Sequence, residues 1–208
     1  GIDTDHFAPH PGAAELRRSL GLSNKKVIIS VGRLVHRKGQ DTLIAALPKI
    51  LQHHPAVHIL LVDEGPYRKN LQKLVLKHKV ENSVTFIGRI QYSELPRYFS
   101  AGDIFAMPSR SRLMGLEVEG LGIVYLEASS CGLPVLAGNS GGAPDAVVQN
   151  ETGLVVDGTD NRQIAAAAIE LLSDSAAAQL MGVAGRQWIV ENWRWEIWSK
   201  DFEDLLNK

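Results

Sequence analysis

Short apolar runs alternate with amphipathic stretches along most of the chain. The runs at Val27–Val31, His58–Val62, Val84–Ile87, Ile104–Met107, Pro134–Ala137 and Gly153–Val156 have the length and side-chain character of strands. Helical spacing predicts helices over Asp41–His53, Tyr67–His78, Ser93–Ser100 and Gly122–Ser130. Arg110–Val118 follows no period and reads as an irregular loop, and from Arg162 onward the chain reads as helices. Val27-Ile28-Ile29 and Ile59-Leu60-Leu61-Val62 are apolar at consecutive positions, as expected of parallel strands covered on both faces. Strands spaced by helices imply βαβ units. The expected architecture is α/β, a doubly wound Rossmann-like parallel sheet, in one domain over residues 1–208. No repeat, low-complexity segment or linker interrupts it.

Composition narrows the function classes. Hydrophobic residues make up 45% and charged residues 22% of the 208 positions, ordinary for a soluble globular protein. The net charge of −1 argues against a general nucleic-acid binder, and no nucleic-acid partner is expected. Cys131 is the single cysteine, so no internal disulfide is possible and a reducing, cytoplasmic setting is expected. Cys131 reads as a packing residue, because no histidine lies near it in sequence. No apolar run reaches the roughly 18 residues of a membrane-spanning helix. The N-terminus is polar, lacks a signal-peptide pattern and lacks an initiator methionine, which suggests a processed product or a fragment. His53, His54 and His58 lack metal-ligand spacing, so no metal site is expected. Trp188, Trp193, Trp195 and Trp198 are expected to dock the last helices.

In doubly wound sheets, ligands sit beyond the C-terminal ends of the strands. There the segment Glu119-Gly120-Leu121-Gly122-Ile123-Val124-Tyr125-Leu126-Glu127 is the richest in chemistry. It reads as a glycine turn entering an apolar helix, with one acid before the helix and one inside it. Gly122, Ile123 and Val124 are expected to form its first turn, and their unpaired N–H groups suit phosphate. An acid on either side of that site could grip hydroxyls of a phosphate-linked ligand, a pattern that suggests a sugar nucleotide. Glu127 lies in an otherwise uncharged helix and needs a partner: ribose hydroxyls, Arg33 or Lys38. The plainer alternative makes Glu127 a partly exposed helix residue and Glu119 an acid favoured by the helix dipole. Arg33 and Lys38 leave the end of the first strand and could both reach an anion, but a solvated basic turn fits that loop as well. Gly141-Gly142-Ala143-Pro144 reads as a structural turn into a short helix. No glycine fingerprint opens the first strand–helix turn, which disfavours a dinucleotide oxidoreductase.

Several segments in order resemble the retaining glycosyltransferases of the glycogen-synthase-like, or group 1, family. They are similar to its C-terminal, donor-binding domain, half of the glycosyltransferase-B fold. Gly1-Ile2-Asp3-Thr4-Asp5-His6-Phe7 resembles the entry into that domain, and Gly32-Arg33-Leu34 with Lys38-Gly39 its diphosphate loop. Phe86-Ile87-Gly88-Arg89-Ile90 resembles its base-binding strand end, Glu119 to Glu127 its two-glutamate motif, and Gly141–Pro144 its glycine turn. Arg33-Leu34-Val35 followed by Arg37-Lys38-Gly39-Gln40-Asp41, and the run Gly115–Ala128, resemble the actinobacterial phosphatidylinositol-mannoside mannosyltransferases.

The resemblance implies GDP-mannose as donor and a lipid-linked, mannosylated inositol acceptor, with a UDP-sugar donor or a non-catalytic nucleotide-binding module as alternatives. It implies that Arg33 and Lys38 hold the diphosphate and stabilise the leaving charge, that Glu119 holds donor-sugar hydroxyls and that Glu127 binds ribose. Gly122, Ile123 and Val124 would supply backbone N–H groups, and Arg89 and Ile90 would border the base. No metal or other cofactor is implied, and the product would keep the donor's anomeric configuration. The resemblance implies an acceptor-binding N-terminal domain preceding this segment, toward which helices from about residue 175 would pack back. The full enzyme would sit peripherally at the inner face of the plasma membrane. Three positions depart from the family pattern: Asp63 where glycine is frequent, His36 where proline is frequent, and Asp145 where glutamate is usual. An acid at 63 is expected to repel a nearby diphosphate unless it turns away.

Overall fold

The computed structural model describes residues 1–206; positions 207 and 208 of the expected domain lie outside the described residues. Each sequence-predicted strand forms, as β1 (Lys26–Val31), β2 (Val57–Val62), β3 (Val84–Gly88), β4 (Ile104–Met107), β5 (Val135–Gly138) and β6 (Gly153–Val156). They make one parallel sheet in the order β3-β2-β1-β4-β5-β6. The winding reverses between β1 and β4, which opens a crevice beyond their C-terminal ends.

The helices are α1 (Ala13–Ser19), α2 (Gln40–His53), α3 (Arg68–His78), α4 (Leu95–Ser100), α5 (Ile123–Ser130), α6 (Asn161–Ser173), α7 (Ser175–Asn192) and α8 (Trp195–Leu206). Alternate strand residues divide the core between two faces. Ile28, Ile59, Leu61, Ala106 and Leu136 pack under α2, α3 and α6. Val27, Ile29, Leu60, Phe105 and Val135 pack under α5, joined by Ile2 and Phe7 of the N-terminal segment and Ile189 of α7. Each such aliphatic side chain contributes about 1.5–3 kcal/mol when buried. Both faces are therefore covered, which is why the strand cores carry consecutive apolar residues.

Three local differences from the sequence-based reading have physical causes. Helix α1 was not expected, because only Leu16 of its seven residues is buried and no apolar stripe marks it. The helix predicted at Ser93–Ser100 divides into a 3-10 turn at Tyr92–Glu94 and α4, with Pro96 in the first turn of α4, where its missing N–H costs nothing. Gly122 is not in the first helical turn; it caps α5 with φ 71°, and the helix begins at Ile123.

Trp188, Trp193 and Trp198 pack in series with ring centroids 5.8 and 5.4 Å apart, joining α7 to α8. Trp195 is 55% exposed and lies outside that series. Cys131 is buried, and burial pushes its thiol up to about 12, as suits a packing residue. One close approach matters for the crevice. Gly39 has φ 74°, and a Cβ there would come 1.9 Å from the Pro108 carbonyl oxygen. Only glycine lets the loop after β1 lie directly against the loop after β4.

Candidate functional site

The loop after β1 turns back through a short 3-10 helix, His36–Lys38, and so directs Lys38 inward over the sheet end. Lys38 and Glu119 are both buried, at 9% and 6% exposure. The Lys38 Nζ stands 2.9 Å from Glu119 Oε2, and Arg37 Nε stands 3.8 Å from the same oxygen. Glu119 Oε2 has no aligned hydrogen bond, so the contact with Lys38 is an ion pair with acceptor capacity to spare. The backbone of Glu119 is held firmly. Its N–H donates to Ser140 Oγ at 3.0 Å, and its carbonyl accepts from Gly142 N at 3.3 Å. A Cβ on Gly141, which has φ 55°, would come 1.8 Å from the Glu119 carbonyl oxygen. The glycine turn is structural, as read from the sequence, and what it supports is Glu119.

Beside this pair lies the start of α5. Among the described residues, the N–H groups of Gly122, Ile123 and Val124 meet no acceptor. They carry the partial positive charge of a helix N-terminus. The Tyr125 hydroxyl anchors this end, reaching the Met107 carbonyl at 2.7 Å and Ser109 Oγ at 2.8 Å. The phenol is fully buried, and burial raises its pKa well above the ordinary value. Ile123 points to solvent and Val124 into the core, so their contribution to a ligand is through the backbone.

Glu127 occupies a different environment. It is half-buried and has no ion-pair or hydrogen-bond partner among the described residues; neither Arg33 nor Lys38 reaches it. Burial pushes its carboxyl up to about 7. Burial first, and then the charge of Glu127, raise the Tyr92 phenol, whose ring stacks on His6 at 4.6 Å. Tyr92 belongs to a cavity of about 290 Å³ at the ends of β1, β2 and β3, with walls from Val31, Val62, Ile90 and Leu95. Asp63 and Arg89 complete its lining. The Arg89 side chain is 81% exposed, with Nε 3.8 Å from Asp63 Oδ1. Asp63 takes φ 101°, a glycine-like backbone, and Oδ1 accepts from Glu64 N at 2.7 Å. The acid thus turns toward its own backbone and Arg89. Arg33 is exposed and forms no ion pair among the described residues.

Arg110, Asp41 and His36 form a network that sequence reasoning missed. Arg110 is 6% exposed. Its Nη2 donates to Asp41 Oδ2 at 2.6 Å and to His36 Nδ1 at 2.8 Å, and its backbone N–H donates to the Arg37 carbonyl at 2.9 Å. Asp41 Oδ2 also lies 3.4 Å from the Tyr67 hydroxyl. Burial and then Arg110 hold the His36 imidazole below its usual range, which keeps it the acceptor Arg110 needs. This network braces the Lys38 turn from behind. Nothing in the spacing of these residues signals it, because Arg110 lies 74 positions from His36 and 69 from Asp41. Among the described residues, no group of three or more His, Cys, Asp or Glu side chains is placed to hold a metal ion.

The signature of the group 1 glycosyl transferases matches residues 13–188. The chain belongs to this family. This group 1 chain is 48% identical over 208 residues to the GDP-mannose-dependent alpha-(1-6)-phosphatidylinositol monomannoside mannosyltransferase of Mycolicibacterium smegmatis, covering 100% of this chain and 54% of that protein. It is 43% identical to the GDP-mannose-dependent monoacylated alpha-(1-6)-phosphatidylinositol monomannoside mannosyltransferase of Corynebacterium glutamicum, covering 99% and 54%. Among solved structures, Anabaena HepE in complex with UDP superposes with a TM-score of 0.89 at 25% identity, covering 100% of this chain and 56% of that one. The chain thus spans about half the length of the relatives it matches, and corresponds to the C-terminal half of the mannosyltransferases. Its fold is that of a glycosyltransferase-B Rossmann-like domain.

Proposed function

We propose that this group 1 domain is the donor-binding half of a retaining, metal-independent α-mannosyltransferase that takes GDP-mannose, with a phosphatidylinositol mannoside as the acceptor of the full-length protein. The observation that carries the reading is the buried Lys38–Glu119 pair at the switch point, beside the free amides that open α5. The names of the mycobacterial and corynebacterial relatives support the donor and the acceptor.

The chemistry follows from the charges. As the glycosidic bond breaks, negative charge accumulates on the departing nucleoside diphosphate. Lys38, the amides of Gly122, Ile123 and Val124, and Arg33 once a ligand is present stabilise that charge. These groups take the part a cation would play, so no metal enters. Before the donor arrives, Lys38 and Glu119 neutralise each other; on arrival, Lys38 moves to the diphosphate and Glu119 turns its free oxygen to the sugar hydroxyls. Glu127 accepts from the ribose, and the cavity bordered by Arg89 and Ile90 takes the base. Helix α8 presents Trp195, Trp198, Phe202, Leu205 and Leu206 to solvent. That apolar face is where we place the contact with the acceptor-binding half. A lipid acceptor puts the full-length protein at the inner face of the membrane.

Calorimetric titration with GDP, UDP and ADP tests the reading. GDP is expected to bind most tightly. Equal affinities would remove the GDP assignment, and no binding of any of the three would remove the donor site. Incubated with GDP-mannose and the lipid acceptor, this chain is expected to transfer no mannose; turnover at a full enzyme's rate would overturn its being half of the catalyst.

A further inference from the structure

We infer that Asp63 is a specificity-determining residue, whose carboxylate selects guanine at the base end of the cleft. This rests on reading that cleft as a nucleotide-sugar site and adds how the base is chosen. The cavity beyond β1, β2 and β3 has apolar walls, with Asp63 and Arg89 as its only charged lining residues. Arg89 Nε approaches Asp63 Oδ1 at 3.8 Å and its side chain is 81% exposed, so it leaves the acid oriented but not covered. Oδ1 is already committed to the Glu64 N–H at 2.7 Å, with a second lone pair in reserve. Among the described residues, Oδ2 has no partner.

A carboxylate is an acceptor only, so its mate must present donors. Guanine offers two adjacent ones, N1–H and the exocyclic N2–H2. Adenine has an unprotonated N1 and no amine at C2, and uracil offers a single donor, N3–H, between two carbonyl oxygens that a carboxylate repels. The backbone gives an independent sign. Asp63 holds φ 101°, where a side chain is strained and glycine is not. A position that favours glycine carries an acid here, and that acid is part of the cavity's lining, with Oδ1 held by its own backbone and Oδ2 left without a partner among the described residues.

Affinities of this chain for GDP and for inosine diphosphate, which lacks only the exocyclic amine, provide the test. GDP is expected to bind about tenfold more tightly, the discrimination of a good paired contact. In Asp63→Gly that ratio should collapse to about twofold, with GDP affinity falling about tenfold. The substitution suits the backbone, so its melting temperature should not drop. Asp63→Asn keeps the side chain's size and should lose most of the discrimination too. A GDP-to-inosine-diphosphate ratio unchanged in both variants, with GDP still bound, would sink the role of Asp63 and leave the donor site standing. Failure of the unaltered chain to bind GDP at all would sink the donor site itself.

Discussion

The two ends of the cleft are built on opposite principles. At the Lys38 end, the acid and the base are buried together and already paired, Lys38 Nζ to Glu119 Oε2 at 2.9 Å. At the Glu127 end, the acid is half-buried and has no partner among the described residues, and burial pushes its carboxyl up to about 7. A pair taken out of water is costly to form and more costly to break on one side. Lys38 and Glu119 therefore act as a unit that a ligand must exchange with. A lone desolvated acid loses its charge instead of finding a partner, and regains full value only when a ligand supplies donors. Charge is preserved at one end by pairing, and suppressed at the other by dehydration.

Four substitutions can break or sharpen this contrast. Lys38→Ala has the largest expected effect, because it removes a cation and leaves Glu119 buried and repelling the diphosphate. GDP affinity should fall about 100-fold, the equivalent of about 2.7 kcal/mol, while guanosine affinity changes less than about twofold. Adding Glu119→Gln should recover part of the GDP loss. Calorimetry with both ligands checks this, and equal losses for GDP and guanosine would point to misfolding.

Glu127→Gln comes next and is read in stability. The carboxyl titrates at about 7 in the folded chain against the usual 4.5, so between those values the folded state binds more protons than the unfolded state. Stability contributed at this site is thus lost as pH rises from about 4.5 through 7 and stays lost above. Relative to the unaltered chain, the glutamine variant should gain on the order of 2 kcal/mol at pH 8 and almost nothing at pH 4, measured by urea unfolding at the two pH values. A gain independent of pH would mean that the carboxyl is not held neutral by burial.

Arg33→Ala has the smallest expected effect. Arg33 is exposed and unpaired among the described residues, so the melting temperature should stay within about 1–2 °C. GDP affinity should drop about tenfold, as for one charge-assisted contact made only with ligand present. Unchanged GDP affinity would reduce Arg33 to a solvated residue of a basic turn, and the cationic side of the cleft to Lys38.

How much of this was legible in sequence differs between frame and site. Strands such as Ile104–Met107 and Gly153–Val156 were readable to the residue, because burial on both faces leaves an uninterrupted apolar run. Helix α1 was not, since one buried leucine makes no period. Lys38 and Glu119 were visible as residue types beyond strand ends and Glu127 as one inside a helix, but their pairing was open, and Glu127 was expected to need a partner that it does not have among the described residues. The brace formed by Arg110, Asp41 and His36 left no trace in spacing, because Arg110 is remote in sequence from the other two and each member is ordinary by itself.

The sequence alone determined the parallel α/β frame, the loops where chemistry gathers, and the family text from Arg33 to Pro144. Repeating apolar spacing is a local record of burial, and it needs no knowledge of what lies across the sheet. Only the tertiary structure decided that Lys38 meets Glu119, that Glu127 stands alone and that Asp63 turns along its own backbone. Charge pairing and desolvation depend on distances between segments remote in the chain, and those distances exist only once the sheet has brought its loops together.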